Sequence, residues 1–160
     1  MARILVVEPV AQPGRDLLSS AHPTDVRRGL DRDDLLRTLG EDGGWDALIV
    51  RSQTRVDAEL LEAGAPRLGV VGVASVGIDR IDVEAATRAG VMVVNAPTGN
   101  TIAAAEHTLA VMLALLRHVP EADTSLRAGE WERSRYTGRE LRGKTLGIIG
   151  LGKIGKAVAR

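Results

Sequence analysis

Cysteine is absent from the 160 residues, which excludes disulfides, thiolate catalysis and cysteine-based zinc sites. Phenylalanine is absent too, and the aromatic side chains are Trp45, Trp131 and Tyr136 alone. With so few aromatics the core must be assembled from Val, Leu, Ile and Ala, which suits parallel strands buried under helices. The stacking platforms used by single-stranded nucleic-acid binders are missing. Net charge is lacking as well: 21 Lys and Arg balance 21 Asp and Glu, which argues against a basic nucleic-acid surface and a polybasic membrane anchor. The longest wholly apolar stretch, Leu109 to Leu116, falls far short of the roughly 20 residues that cross a bilayer. The N-terminus, MARILVVEPV, has neither the apolar segment nor the cleavage site of a secretion signal. The expectation is a cytoplasmic protein with no nucleic-acid or membrane partner.

What is present is a rhythm of short apolar runs and amphipathic stretches. Strands are expected over Arg3–Val7, Asp25–Arg28, Ala47–Arg51, Val70–Ala74, Val91–Asn95 and Thr145–Ile149. Several are apolar throughout, as strands buried on both faces are. Between them Asp31, Asp57 and Asp82 stand where helix caps belong, with Gly40, Gly64 and Gly90 where those helices stop. Strand, helix and strand in repetition predict right-handed βαβ units and a parallel sheet.

After Val94 the rhythm changes. The turn-rich run Asn95 to Asn100 marks a domain boundary, dividing residues 1–95 from 96–160. A long helix is expected from Thr101 to Val119, with Pro120 helping to end it. Its Ile102, Ala105, Leu109, Met112, Leu113 and Leu116 share a stripe, and Ala110, Val111 and Leu115 add apolar residues elsewhere on its girth. Such a helix belongs between domains or between subunits. A short helix near Glu121–Ala128 and a polar excursion to Lys144 follow, in which Trp131 is a candidate anchor on a partner subunit.

The run Gly150-Leu151-Gly152-Lys153-Ile154-Gly155 lies between the expected strand Thr145–Ile149 and the start of a helix. In that context GxGxxG is a dinucleotide fingerprint. Gly150 permits the tight turn, Gly152 lets backbone approach a pyrophosphate, and Gly155 lets helix pack on strand. The acid that holds the ribose hydroxyls belongs about 20 positions further on, beyond Arg160, so no residue present distinguishes NAD from NADP.

The order of motifs resembles the D-isomer-specific 2-hydroxyacid dehydrogenase family, with the likeness nearest to members that oxidise 3-phosphoglycerate. It is carried by Leu48-Ile49-Val50-Arg51-Ser52, Gly77-Ile78-Asp79 and Glu84-Ala85-Ala86-Thr87-Arg88-Ala89-Gly90. It continues through Val94-Asn95-Ala96-Pro97-Thr98-Gly99-Asn100, Ala104-Ala105-Glu106-His107-Thr108 and Trp131, and ends with Gly143 to Gly155. The resemblance implies an α/β fold: a flavodoxin-like parallel-sheet substrate domain, followed by the start of a Rossmann cofactor domain. It implies NAD as cofactor, a small anionic 2-hydroxy acid as substrate, and a homodimer formed through the 101–119 helix and the Trp131 region. Arg51 and Ser52, with the backbone N–H groups of Val76 and Gly77, would then meet the substrate. Asn100 and Thr101 would lie beside the nicotinamide, and Gly150, Gly152, Lys153, Ile154 and Gly155 would cradle the pyrophosphate.

Two departures qualify the likeness. Many relatives of the phosphoglycerate type carry arginine at the position of Val73. The family's catalytic arginine, acid and histidine lie beyond residue 160, so no catalytic residue is assigned here and the chain alone is expected to be inactive. His22, His107 and His118 do not replace them: His22 adjoins Pro23, His107 is expected to be packed and hydrogen-bonded within the long helix, and His118 suits a helix C-terminus. No metal-ligand cluster is visible. The alternatives are another D-2-hydroxyacid dehydrogenase of the glyoxylate/hydroxypyruvate reductase type, or a non-catalytic module that dimerises or binds a metabolite.

Overall fold

Every apolar run expected as a strand before Asn95 becomes one. The computed structural model describes all 160 residues, which form two compact units, 1–99 and 100–160. In the first, the elements run β1 (Ile4–Val6), α1 (Gln12–Ala21), β2 (Thr24–Val26), α2 (Arg32–Leu39), β3 (Ala47–Val50), α3 (Ala58–Ala63), β4 (Val70–Val73), α4 (Val83–Arg88) and β5 (Met92–Asn95). All strand pairs are parallel, in the order β2-β1-β3-β4-β5. This is the flavodoxin-like order of a doubly wound sheet, as the resemblance implied.

Three helices start where an aspartate caps them. Asp31, Asp57 and Asp82 accept from the backbone N–H of Asp34, Leu60 and Ala85 respectively, satisfying donors that the first helical turn leaves free. Helix α1 carries no such signal. Its N-cap is Ala11, which has no side-chain bond to offer, Pro13 lies in its first turn, and none of its residues is buried. It was not expected from the sequence for that reason.

The core of this unit is aliphatic around one indole. Leu5, Leu39, Trp45, Leu48, Val50, Val56, Leu60, Leu61 and Val71 are fully enclosed. The Trp45 Nε1–H donates to the Thr38 carbonyl at 2.7 Å, and the Arg3 guanidinium lies 3.9 Å from the ring centroid. The side chain of Ile49 stands over Gly72 on β4, where a Cβ would come within 2.6 Å of Ile49 Cδ1.

The second unit holds α5 (Thr101–Leu116), α6 (Val119–Arg127) and α7 (Lys153–Val158), with α7 packed against α5. Here the structure corrects four expectations. The long helix stops at Leu116, not Val119, because His118 takes a left-handed conformation at φ 52°. Pro120 does not end that helix but lies in the first turn of the next, where a missing N–H and a fixed φ do no harm. The run Thr145–Ile149 forms no strand, since a strand exists by pairing and this unit supplies no second one. His107 is exposed on α5 and not packed. Only Ala105 of α5 is buried, while Ile102, Leu109, Val111, Leu113 and Leu115 are exposed. No single helix is long and apolar enough to cross a membrane.

Candidate functional site

A doubly wound parallel sheet gathers its loops at the carboxyl ends of its strands, and ligands enter at the point where the winding reverses. In this order the reversal falls between β1 and β3. The chain leaves β1 through Glu8 and Pro9, and leaves β3 through Arg51, Ser52 and Gln53. Val50 pairs in register with Val73, the last residue of β4, so the loop after β4, which carries Val76 and Gly77, begins beside Arg51.

Arg51 and Ser52 are exposed. The Arg51 Nη1–H donates to the Pro9 carbonyl at 3.3 Å, and its guanidinium takes part in no ion pair, in contrast to Arg27, Arg32, Arg37 and Arg67. An exposed arginine whose charge is uncommitted is suited to an anion arriving from solvent.

The loop after β4 uses its acceptors and leaves its donors open. The Val76 carbonyl accepts from Asn95 Nδ2 at 2.8 Å, and the Gly77 carbonyl accepts from Ser75 Oγ at 3.1 Å. The Ala96 N–H ties β5 to the same loop through the Ser75 carbonyl at 3.0 Å. The N–H groups of Val76 and Gly77 donate to nothing within the chain, and both residues are exposed. A Cβ at Gly77 would stand 2.9 Å from Asp79 Oδ2, so glycine lets that carboxylate approach the loop. Val73 is buried, 3% exposed, and supplies no charge.

Glu8 was not singled out by sequence reasoning. It is 5% exposed, and its carboxylate accepts from the backbone N–H of Arg51 at 3.0 Å, Thr54 at 2.9 Å and Gln53 at 3.2 Å. Burial pushes its pKa up, but the hydrogen bonds, from Arg51 foremost and then Thr54 and Gln53, outweigh this and hold it below the usual glutamate value. The available signal was an acid directly after a wholly apolar strand, Ile4-Leu5-Val6-Val7-Glu8, where a solvated residue would have no reason to be enclosed.

In the second unit the fingerprint forms a turn that leads into α7. Gly150 sits at φ +94°, a conformation that L side chains rarely adopt. Gly152 is the N-cap of α7, and a Cβ built there meets nothing within 4 Å. A Cβ at Gly155 would overlap the Gly150 carbonyl oxygen, so the turn and helix close on each other only because that position is glycine. The open side at Gly152 and the closed one at Gly155 fit the backbone cradle that a dinucleotide pyrophosphate requires. Asn100 precedes α5 without capping it through its side chain, and Thr101 is the helix's first residue. His22, His107 and His118 take part in no ion pair with a carboxylate, and no group of three or more His, Asp or Glu side chains is placed to hold a metal ion.

The comparisons with known proteins agree with one another. Residues 4–151 match the profile of the D-isomer specific 2-hydroxyacid dehydrogenase catalytic domain. A D-3-phosphoglycerate dehydrogenase of Archaeoglobus fulgidus is 46% identical over 159 residues, covering 99% of this chain and 29% of that protein. One from Mycobacterium tuberculosis is 55% identical over 132 residues, covering 82% of this chain and 24% of that protein. This chain thus spans less than a third of these relatives' length. Among solved structures, a Thermus thermophilus protein superposes with a TM-score of 0.87 at 36% identity, covering 98% of this chain and 51% of that one. The Entamoeba histolytica 3-phosphoglycerate dehydrogenase with bound NAD⁺ does so at 0.74 and 28% identity, covering 99% and 49%.

Proposed function

The chain belongs to the D-isomer-specific 2-hydroxyacid dehydrogenase family, and from that premise we propose that it is the N-terminal segment of an NAD-dependent D-3-phosphoglycerate dehydrogenase. The observation that carries this reading is the placement, at the carboxyl ends of the neighbouring strands β3 and β4, of an arginine with no ion pair, Arg51, and two exposed amides that donate to nothing in the chain, Val76 and Gly77. Together they offer a cation and a pair of N–H donors to a carboxylate, the anionic group that all 2-hydroxy acids share. The repeated match to 3-phosphoglycerate enzymes over nearly the whole chain supports the phosphorylated substrate over a glyoxylate or hydroxypyruvate type, although Val73 adds no positive charge.

In this reading Arg51 binds and orients the anion, and Ser52 adds a hydroxyl at the same end of the sheet. The Val76 and Gly77 amides fix the carboxylate. In the other unit, Gly150, Gly152, Lys153, Ile154 and Gly155 hold the pyrophosphate of the dinucleotide, with Asn100 and Thr101 toward its nicotinamide end. When bound, the nicotinamide supplies the hydride acceptor. Proton transfer from the substrate hydroxyl needs a general base, and none of the three histidines has the carboxylate partner that orients one. The segment by itself is therefore expected to show no turnover, and its NAD binding to be feeble. Its setting is cytoplasmic metabolism, and the exposed apolar residues of α5, with exposed Trp131, support a second copy of the chain as its protein partner.

The test is Arg51→Ala in a full-length dehydrogenase carrying this segment. A hydrogen bond to a charged group contributes about 1.5–3 kcal/mol, so KM for 3-phosphoglycerate should rise roughly tenfold to hundredfold while KM for NAD stays within about twofold. An unchanged KM for the hydroxy acid would refute the assignment.

A further inference from the structure

We propose that Glu8 is a positioning residue for the anion site, its buried carboxylate clamping the loop after β3 so that Arg51 is presented at the carboxyl end of the sheet. The proposal rests on the reading of Arg51 given above.

Three observations carry it. First, Glu8 is enclosed without an ion-pair partner: no lysine or arginine bridges it. Charged groups do lie around the cavity it borders, but they are engaged elsewhere. The Asp31 side chain accepts from the Asp34 N–H, and Arg32 is bound to Asp57, Glu59 and the Arg55 carbonyl. Arg55, on the same cavity, approaches Asp57. A buried carboxylate is tolerated only when hydrogen bonds replace its lost hydration.

Second, those bonds come from one loop. Arg51, Gln53 and Thr54 each donate a backbone N–H, at 3.0, 3.2 and 2.9 Å. One carboxylate thus fixes the first and last residues of a four-residue segment that contains both Arg51 and Ser52. Amides donating to an ionised acceptor form stronger bonds than amides donating to a carbonyl.

Third, the Arg51 side chain is tethered to the same place, since its Nη1–H donates to the carbonyl of Pro9, the residue after Glu8. Backbone and guanidinium of Arg51 are both referred to the end of β1. Pre-setting the arginine removes ordering that binding would otherwise have to supply.

The experiment uses the ¹⁵N-labelled 160-residue chain, followed residue by residue in solution. On acidification the amide resonances of Arg51, Gln53 and Thr54 should move together, with one midpoint below the ordinary glutamate range, and this step should vanish in Glu8→Gln. Titration with D-3-phosphoglycerate should shift the amides of Arg51, Ser52, Val76 and Gly77. Glu8→Gln should weaken that binding roughly tenfold or more while the core amides of Leu48 and Val71 stay in place. Glu8→Asp, which keeps the charge on a shorter arm, should recover part of the affinity. Arg51→Ala separates the two ideas. If Arg51→Ala loses the ligand and Glu8→Gln binds as tightly as the wild type, Glu8 does not position Arg51 and the proposal is overturned. If the wild type shows no ligand shifts, the anion site itself is refuted, and with it the purpose given to Glu8. Should Glu8→Gln fail to fold, Glu8→Asp and the pH step decide: a Glu8→Asp variant with wild-type core amides but no common acid step in the loop overturns the clamp.

Discussion

Replacing Trp45 by alanine tests whether the first unit is held together around a single indole. The side chain is fully enclosed, and burial of a large aromatic of this kind is worth about 3–5 kcal/mol when truncated to alanine in a packed core. Two specific terms add to the area. The Nε1–H bond to the Thr38 carbonyl, at 2.7 Å, contributes about 1 kcal/mol. The Arg3 guanidinium, 3.9 Å from the ring centroid, contributes about 0.5–1 kcal/mol. The loss of the indole bond is softened because the Thr38 carbonyl also accepts from the Glu41 N–H at 3.4 Å. Trp45→Ala should therefore cost about 4–6 kcal/mol, against a total domain stability of about 5–15 kcal/mol. Trp45→Phe keeps most of the packing and loses the donor, and should cost only about 1–2 kcal/mol. Urea unfolding followed by far-ultraviolet circular dichroism measures both. If Trp45→Ala shifts stability by less than about 2 kcal/mol, or if the phenylalanine variant is as damaging as alanine, the core does not depend on this residue as argued.

Acid should destabilise the first unit. Glu8, Asp46 and Asp57 have pKa values held below their ordinary values. At Asp46 the cause is the Arg3 amide first and then Arg67; at Glu8 and Asp57 burial opposes the shift but hydrogen bonds outweigh it, from the Arg51, Thr54 and Gln53 amides at Glu8 and from Arg32 and the Leu60 amide at Asp57. A depressed folded-state pKa contributes stability above the unfolded value, about 3.9–4.3, and loses it as pH falls through the folded value; urea midpoints should be flat from neutrality to about pH 5 and drop below about pH 4, and a midpoint that rises on acidification would contradict the assignment. The fingerprint glycines should separate by role: Gly155→Ala should disrupt α7, seen as faster amide exchange from Lys156 to Val158, whereas Gly152→Ala should leave exchange unchanged and only obstruct the approach of a pyrophosphate. Equal damage from both would show that the turn is not closed by Gly155. On α5, Leu115 is 71% exposed, and Leu115→Asp should abolish a concentration-dependent self-association measured by sedimentation equilibrium; a wild-type chain that stays monomeric at every concentration would exclude the proposed partner copy.

Much of this architecture is legible in the sequence, for a definite reason. A strand buried on both faces cannot alternate, so Ala47 to Val50 and Val70 to Val73 read as short unbroken apolar runs, and an aspartate with glycine beyond it brackets each of α2, α3 and α4. Where either physical signal fades, so does the reading. The edge strand β2 is half-exposed and was placed one residue late at its start and two late at its end, as Asp25–Arg28 against Thr24–Val26. Helix α1 has no cap and buries nothing, so neither its start nor its face is written in residue type. The break at His118 is invisible because histidine at positive φ has no sequence mark, and proline at position 120 reads equally as a stop or a start. Thr145–Ile149 has strand composition without a strand, since composition states a preference and pairing is supplied by a neighbour. Arg51, Val76, Gly77 and the fingerprint glycines are named as candidates through motif order, and their roles stand as proposals. Glu8 was missed because its role is to hold backbone, and backbone donors carry no letter in a sequence.

The two units differ in what holds their candidate sites. In the first, a closed aliphatic core lies directly beneath the loops after β1, β3 and β4; Glu8 ties the loop after β3 to the end of β1, Ser75 braces the loop after β4 internally, and Asn95 ties that loop to β5. Rigid support of this kind lets exposed donors keep their positions without a ligand. In the second, the only buried residues are Ala105 and Ser125, while Ile102, Leu115, Leu126, Trp131, Leu146, Ile149 and Leu151 are open to solvent. A helix of six residues such as α7 is marginal by propensity and needs packing to persist. Its close approach to Gly150 and its seat on α5 supply part of that packing, and an apolar surface of such extent asks for more. The proposed anion site would therefore be a property of the first unit's own fold, whereas the proposed pyrophosphate turn would depend on further packing against α5 and α7. Substrate recognition in this chain should accordingly tolerate dilution that nucleotide recognition does not.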